Sequence, residues 1–331
     1  ATRDMRDSGT LDLLAQEFEL KFLAQEFDGV DELEKFAPLQ KVSSPSGVRH
    51  FIHNSLHNIM GMRIWEPIFG DVGENYYENF FKTRSFSKNI RRLYFLHRVG
   101  LGRLFEYFAQ LYLNRMTGMI SKDMDRPDAI LILNHNRHIF TDDAARWARA
   151  YKIPSAFLQI NFDAYTYSTP TTSPDLCAVW GEDAYQYASL LHGYTPARLR
   201  LVGSPRCDIY SQEKAPKNMT RNALELQEDK TILLYCGDPL TNNLQYLQKL
   251  EQAIESGDLP SRLRILFKPH PDIKKHNVLG YVDLENNPFK NIDFLNQDTE
   301  ALPSLKSYPH LMSAVDAMIT PYSTMGLEAG A

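Results

Sequence analysis

The stretch Arg262–Asp272, Arg-Leu-Arg-Ile-Leu-Phe-Lys-Pro-His-Pro-Asp, sets the reading of the whole chain. Leu263 to Phe267 is an apolar run of strand length. Pro269 and Pro271 lack the N–H groups that a sheet ladder needs, so pairing stops there. Each proline also drives the residue before it, Lys268 or His270, toward extended backbone. The result is an imidazole held just past the carboxyl end of a strand, where open α/β sheets bind ligands. A plain strand terminator has the same spelling, so the meaning depends on what else the chain supplies.

The second informative stretch is Ala317–Ala331, Ala-Met-Ile-Thr-Pro-Tyr-Ser-Thr-Met-Gly-Leu-Glu-Ala-Gly-Ala. Ala317 to Thr320 reads as a strand closed by Pro321. Ser323 or Thr324 then caps a helix. A helix start offers unpaired N–H groups and partial positive charge, which suit a phosphate. Glu328 lies four residues after Thr324, on the same helix face, where a carboxylate can accept from two ribose hydroxyls. Gly326 keeps the approach open.

Together these stretches resemble the donor-binding half of GT-B glycosyltransferases. The closest likeness is to bacterial surface and capsular polysaccharide enzymes: sialyl- and Kdo-transferases and the CDP-glycerol glycerophosphotransferases of teichoic acid synthesis. In those families a His-Pro pair after one strand and a Ser/Thr pair before a helix hold the donor phosphates. His270-Pro271 and Ser323-Thr324 match that pattern, and Glu328 matches a common ribose ligand. Val202-Gly203-Ser204-Pro205-Arg206-Cys207-Asp208 looks like the run that often closes the first domain there. The resemblance spans roughly Asp128 to the end. It implies an α/β fold of two Rossmann-like domains with parallel sheets facing a cleft, and a donor site formed by Gly237, Asp238, Lys268, His270, Ser323, Thr324, Gly326 and Glu328. The pairing looks most like that of cytidine-nucleotide donors, with uridine donors open.

Bulk properties agree with such a protein. The chain has 331 residues, room for two domains, with 43% apolar and 23% charged residues. A net charge of −5 speaks against broad nucleic-acid binding. Cys177, Cys207 and Cys236 are widely spaced, odd in number and without zinc-site spacing, as expected of thiols in a reducing cytoplasm. No run of eighteen apolar residues announces a membrane span. The first residue is not Met and the last lies just inside the expected helix, so both ends read as cut from a longer protein, with the second domain incomplete.

Residues 1–120 read as a helical extension packing on the first domain. Leu14-Ala15-Gln16-Glu17-Phe18 recurs as Leu23-Ala24-Gln25-Glu26-Phe27. Over 1–50 the expectation is one or two short helices. From Lys82 to Arg115 the sequence is basic, with Glu106 the lone acid, and Leu93 to Tyr112 has near-helical apolar spacing. That pattern fits a solvated basic face on a core helix pair, or peripheral contact with an anionic membrane at the inner face.

From Asp128 strands and helices alternate, which predicts a mostly parallel sheet. Residues 121–210 are expected to form the acceptor-side domain, 211–229 a linker with a short helix, and 230–331 the donor domain. Expected strands are Ala129–Leu133, Ala156–Ile160, Cys177–Trp180, Leu199–Val202, Thr231–Cys236, Arg262–Phe267, Asn291–Phe294 and Ala317–Thr320. Thr141 is expected to cap a helix running to Tyr151, with Asp142 and Asp143 in its first turn.

Asn134-His135-Asn136-Arg137-His138 follows the first strand of the first half. His135 there can take a proton from an acceptor hydroxyl, with Arg137 and His138 beside it. Relatives commonly carry Gln-His-Gly after the next strand; this chain has Leu158-Gln159-Ile160-Asn161, so either the base has moved, to Asp163 or His135, or the acceptor chemistry differs. His270 completes the catalytic set through the leaving phosphate. Asp123-Met124-Asp125 has the spelling of a divalent-metal motif, but it precedes a strand, and no metal or resident cofactor is expected. Glycine-rich dinucleotide, P-loop and Gly-x-Ser-x-Gly motifs are missing, which removes support for nicotinamide, P-loop and hydrolase chemistry.

The expected activity is glycosyl transfer from a nucleotide-activated donor to a hydroxyl of a glycan or lipid-linked acceptor. The alternatives are glycerophosphate transfer of teichoic-acid type, non-hydrolysing UDP-sugar epimerisation, and a non-catalytic nucleotide-sugar or glycan-binding module of a larger synthase.

Overall fold

The computed structural model describes residues 2–25, 30–42, 47–60, 95–96, 99–115, 120, 124–134, 139–162, 164–165, 171–212, 216–224, 226–237, 242–269, 288–295, 306–320, 325–326 and 329–330. It divides into two compact units, Phe18–Ser204 and Thr2–Glu17 with Pro205–Ala331.

In the first unit, β3 (Ile130–Asn134), β4 (Ser155–Gln159), β5 (Leu176–Val179) and β6 (Leu199–Leu201) form one sheet in the order β3-β4-β5-β6, all parallel. Each strand boundary lies within a residue or so of the sequence expectation, because Pro154 and the polar residues flanking each apolar run stop the ladder. Helices Ile139–Tyr151 and Glu182–His192 connect the strands. The second ends where Gly193 takes φ 69, and its N–H donates to the Ser189 carbonyl, a left-handed cap that favours glycine. Phe157, Cys177, Val179, Trp147, Ala148, Ala188 and Tyr165 are among the residues packing its core.

The second unit repeats the plan. β7 (Thr231–Cys236), β8 (Leu263–Lys268), β9 (Ile292–Phe294) and β10 (Ala317–Ile319) are parallel in the order β10-β7-β8-β9. Strand β7 is buried on both faces, and its alternation shows it: Ile232, Leu234 and Cys236 enter one core, Leu233 and Tyr235 the other. The strand centred on Leu263–Phe267 is therefore paired on both sides, with Cys236 opposite Lys268 and Phe267 opposite Phe294.

Three expectations change. The five-residue repeat takes two structures: Leu14–Glu17 ends the helix Thr10–Glu17, whereas Leu23–Gln25 lies in β1 (Phe22–Gln25), which pairs in parallel with β2 (Leu39–Val42). Local spelling is the same, so the partner strand decides. Helix Thr2–Asp7 packs on helix Pro205–Gln212 of the second unit rather than on the first domain, and the Arg206 guanidinium meets Asp4 at 3.3 Å. The division falls at Ser204/Pro205, inside the Val202–Asp208 run. Gly203 there has φ 74, and Pro205 opens a helix.

The segment expected to connect the domains through a short helix holds helix Lys217–Ala223, packed against helix Ser307–Ala314. Asp316 fastens it: its carboxylate accepts from Lys217 Nζ, from Arg221 Nη2 at 2.6 Å and from the Ile232 N–H at 2.8 Å. Burial alone raises the Asp316 pKa, but these three donors outweigh it and bring it from 3.8 to about 2. A carboxylate with a depressed folded pKa contributes stability above its unfolded value and loses it as pH falls through the folded one. We therefore expect wild-type stability to decline between about pH 4 and 2, with Asp316→Asn costing roughly 1–2 kcal/mol at pH 7 and flattening that decline. Urea unfolding at pH 7 and pH 3 checks both.

Candidate functional site

Parallel pairing brings the carboxyl ends of β7, β8 and β10 to one edge of the second sheet. At that edge the Gly237 N–H donates to the Lys268 carbonyl at 2.8 Å, tying the two strand ends. Gly237 is required by space: a Cβ there would lie 2.9 Å from the Phe267 ring and 3.2 Å from Asn243 Oδ1. Neither neighbour can retreat. Phe267 is fully buried and stacked on Tyr235 with centroids 5.5 Å apart, and the Tyr235 hydroxyl donates to Asn243 Oδ1 at 3.2 Å.

Helix Asn243–Ser256 starts beside this turn. The Asn242 side chain accepts from the Gln245 N–H at 3.2 Å and caps its first turn. Lys268 is half-buried, with Nζ 4.9 Å from the centre of the Tyr308 ring, a cation–π contact that holds the ammonium at the end of β8. After β10, Thr320 Oγ1 is buried without a hydrogen-bond partner among the described residues, and Thr320 Cγ2 would lie 3.4 Å from a Cβ at Gly326. The Ala329 N–H donates to the Met325 carbonyl, so a helical turn begins where the sequence places one.

Of the residues named from sequence, Gly237 and Lys268 are at strand ends of this sheet, and Gly326 lies beside Thr320, the residue that follows β10. Asp238, His270, Ser323, Thr324 and Glu328 lie outside the described residues, as do His135, Arg137, His138 and Asp163 on the acceptor side. Among the described residues no group of His, Cys, Asp and Glu could hold a metal ion.

The first unit contains a polar cluster that the sequence reading missed. Asp142 and Asp143 are not solvated first-turn charges. The helix begins at Ile139, so Thr141 lies inside it rather than capping it, and both carboxylates are buried. Asp143 accepts from Arg49 through Nε at 3.1 Å and Nη2 at 2.5 Å, and from Arg146 Nη1 at 3.1 Å. Asp142 accepts from His53 Nε2 at 2.7 Å, from the Thr171 N–H at 3.0 Å and from the Thr171 hydroxyl at 2.6 Å. Burial by itself raises the Asp142 carboxyl, but the hydrogen bond and charge of His53, the charge of Arg146 and the Thr171 hydroxyl bring it below its ordinary value. The i,i+3 spacing of Asp143 and Arg146 was the one visible signal; Arg49 and His53 are some ninety residues away.

Gln159 replaces the Gln-His-Gly logic with a structural one. Its amide donates to the Asn161 carbonyl at 2.8 Å and accepts from the Trp180 N–H at 2.8 Å, while Trp180 Nε1 donates to the Gln159 carbonyl at 2.7 Å. The ends of β4 and β5 are laced together at the carboxyl edge of the first sheet.

Comparison with known proteins agrees with this architecture. Residues 173–328 match the family CDP-Glycerol:Poly(glycerophosphate) glycerophosphotransferase. No curated protein sequence matches the chain significantly. Among solved structures, a protein designated a UDP-N-acetylglucosamine 2-epimerase from Listeria monocytogenes superposes over 99% of this chain and 73% of its own, at 10% identity and TM-score 0.52, a likeness of fold. The UDP-GlcNAc 2-epimerase of Neisseria meningitidis, bound to UDP-GlcNAc, is 15% identical over 60% of this chain, with TM-score 0.43. The wall teichoic acid polymerase TagF is 15% identical over 53% of this chain and 47% of its own, with TM-score 0.31. The chain spans 55% of the length of the Neisseria enzyme. Fold and family match relate the chain to the GT-B glycosyltransferase superfamily.

Two substitutions test the geometry. Asp143→Ala leaves the Arg49 and Arg146 guanidinium groups buried without their shared carboxylate and is expected to cost about 3–5 kcal/mol. Gly237→Ala forces a methyl group against Phe267 and is expected to cost about 1–3 kcal/mol. Urea unfolding of each variant measures these values.

Proposed function

We propose that the chain is the catalytic part of a GT-B transferase of the teichoic-acid glycerophosphotransferase type, moving an activated unit from a cytidine-nucleotide donor to a hydroxyl of a cell-envelope polymer. The observation that carries this reading is the family match over residues 173–328, which includes every donor-side residue from Gly237 to Glu328. Lys268 at the end of β8 and the tight Gly237 turn supply a cation and close backbone, as a phosphate needs.

With CDP-glycerol as donor, the acceptor oxygen bonds to the phosphorus that bears glycerol. The phosphoanhydride bond breaks, and CMP leaves with the electron pair. His135 or Asp163 takes the acceptor proton, and Arg137 and His138 orient the acceptor. Lys268, His270, and the hydroxyl and N–H groups at Ser323 and Thr324 stabilise the charge that develops on the departing phosphate, so a divalent cation is not required in this scheme. Glu328 holds the ribose, and Asp238 a hydroxyl of the transferred unit. With a nucleotide-sugar donor the same residues serve, and attack falls on the anomeric carbon. A nucleotide donor and a polymer acceptor fit work in the cytoplasm at the inner membrane face.

The test is incubation of the chain with CDP-glycerol, a CMP-sugar and UDP-N-acetylglucosamine, each with and without a glycerophosphate-primed acceptor. Acceptor-dependent CMP release is expected. Turnover of the UDP-sugar without acceptor would replace the reading with epimerisation, and donor binding without any turnover would replace it with a binding module. His270→Ala is expected to lower turnover roughly a hundredfold, as loss of a donor to a developing anion does. Glu328→Ala is expected to raise KM for the donor more than it lowers kcat, because ribose contacts are alike in ground and transition states.

A further inference from the structure

We infer that Tyr308 is a positioning residue for donor binding: its ring holds the Lys268 ammonium at the end of β8, with its charge intact, for a phosphate of the donor. The inference rests on Lys268 facing the donor phosphates, as in the function proposed above. Strand alternation brings the two side chains together. Leu266 enters the core that also holds Leu234, Cys236 and Leu311, so Lys268, two residues on, leaves β8 toward the same face. Helix Ser307–Ala314 covers part of that face. Leu311 and Ala314 are buried in the same core, and Tyr308 packs against it one turn before Leu311. Pro309 is buried in the first turn, where its missing N–H would go unpaired in any case, so the helix start is stiff beside Tyr308. Lys268 Nζ then lies 4.9 Å from the centre of the Tyr308 ring.

The kind of contact matters more than its strength. A lysine has a long flexible stem and a strongly hydrated head, and unheld it spreads over many rotamers. A carboxylate would hold the head but cancel its charge. An aromatic face attracts the cation through its quadrupole and carries no net charge. Among the described residues Lys268 meets the Tyr308 ring and no carboxylate. An ammonium has three N–H donors, and a ring face occupies one side of it, which leaves donors for phosphate oxygens. The backbone is fixed as well: Cys236 pairs with Lys268 in register, and the Gly237 N–H donates to the Lys268 carbonyl at 2.8 Å. Lys268 is thus held at its backbone and at its head, beside the tight turn at Gly237. A cation placed in advance loses less freedom when the ligand arrives. The ring, and not the phenol hydroxyl, is the working part of Tyr308.

The experiment is calorimetry with CDP and turnover with CDP-glycerol, for wild type, Tyr308→Phe, Tyr308→Leu, Lys268→Met and the double variant Lys268→Met/Tyr308→Leu. Tyr308→Phe keeps the aromatic face and is expected to bind CDP within about twofold of wild type. Tyr308→Leu keeps apolar bulk without that face, and is expected to weaken CDP binding and lower kcat/KM about three- to tenfold. Because Tyr308 acts through Lys268, the double variant is expected to match Lys268→Met alone. A folding defect would instead add to the Lys268→Met loss, and that result overturns the inference. So does a Tyr308→Phe loss as large as that of Tyr308→Leu, or wild-type CDP affinity in Tyr308→Leu while Lys268→Met binds weakly. If wild type and Lys268→Met bind CDP equally well, the inference falls and the donor reading stands on its other residues. A wild type that binds no CDP overturns the donor reading and this inference with it.

Discussion

Parallel pairing is the constraint on which this molecule depends. A parallel strand cannot be followed by a hairpin, so the chain must cross back over a face of the sheet before each new strand. Helices Ile139–Tyr151, Glu182–His192 and Asn243–Ser256 make such returns, and in doing so they cover the sheet faces. Every strand of a sheet then ends on the same edge. The carboxyl ends of β7, β8 and β10 are neighbours there, although Cys236, Lys268 and Ile319 are spread over some eighty residues of sequence. The strand ends are collected by topology, and Pro269 ends the ladder directly after β8.

Packing then limits what each strand-end residue can be. The stack of Tyr235 on Phe267, with the Tyr235 hydroxyl fixed on Asn243, leaves room at position 237 for a hydrogen atom and no more. Lys268 keeps its ammonium at the strand end because its stem is half-buried and its charge faces Tyr308. In the first unit the comparable constraint is electrostatic. Two buried arginines and a histidine share two adjacent carboxylates and one threonine, which joins the helix at residues 47–60 to the helix after β3. Buried charges persist only when each has its counter-charge in place, so this cluster fixes the relative setting of those elements within the unit.

The sequence by itself determined the parts governed by local rules. Apolar runs of four to six residues bounded by proline, glycine or polar residues located β3 to β10 to within a residue or two, because burial on both faces demands such runs and the flanking residues end them. Repetition of the strand–helix rhythm was enough for two parallel sheets. Tertiary structure alone decided the rest. Leu-Ala-Gln became helix end or strand according to whether Leu39–Val42 was there to pair with it. Thr2–Asp7 joined the unit two hundred residues away because Arg206 and Gln212 receive it. Asp142 and Asp143 spelled an ordinary helix start, and only the arrival of Arg49, His53 and Thr171 turned them into a buried network. Those contacts join residues far apart in the chain, and no local pattern carries the identity of a partner that folding alone brings near.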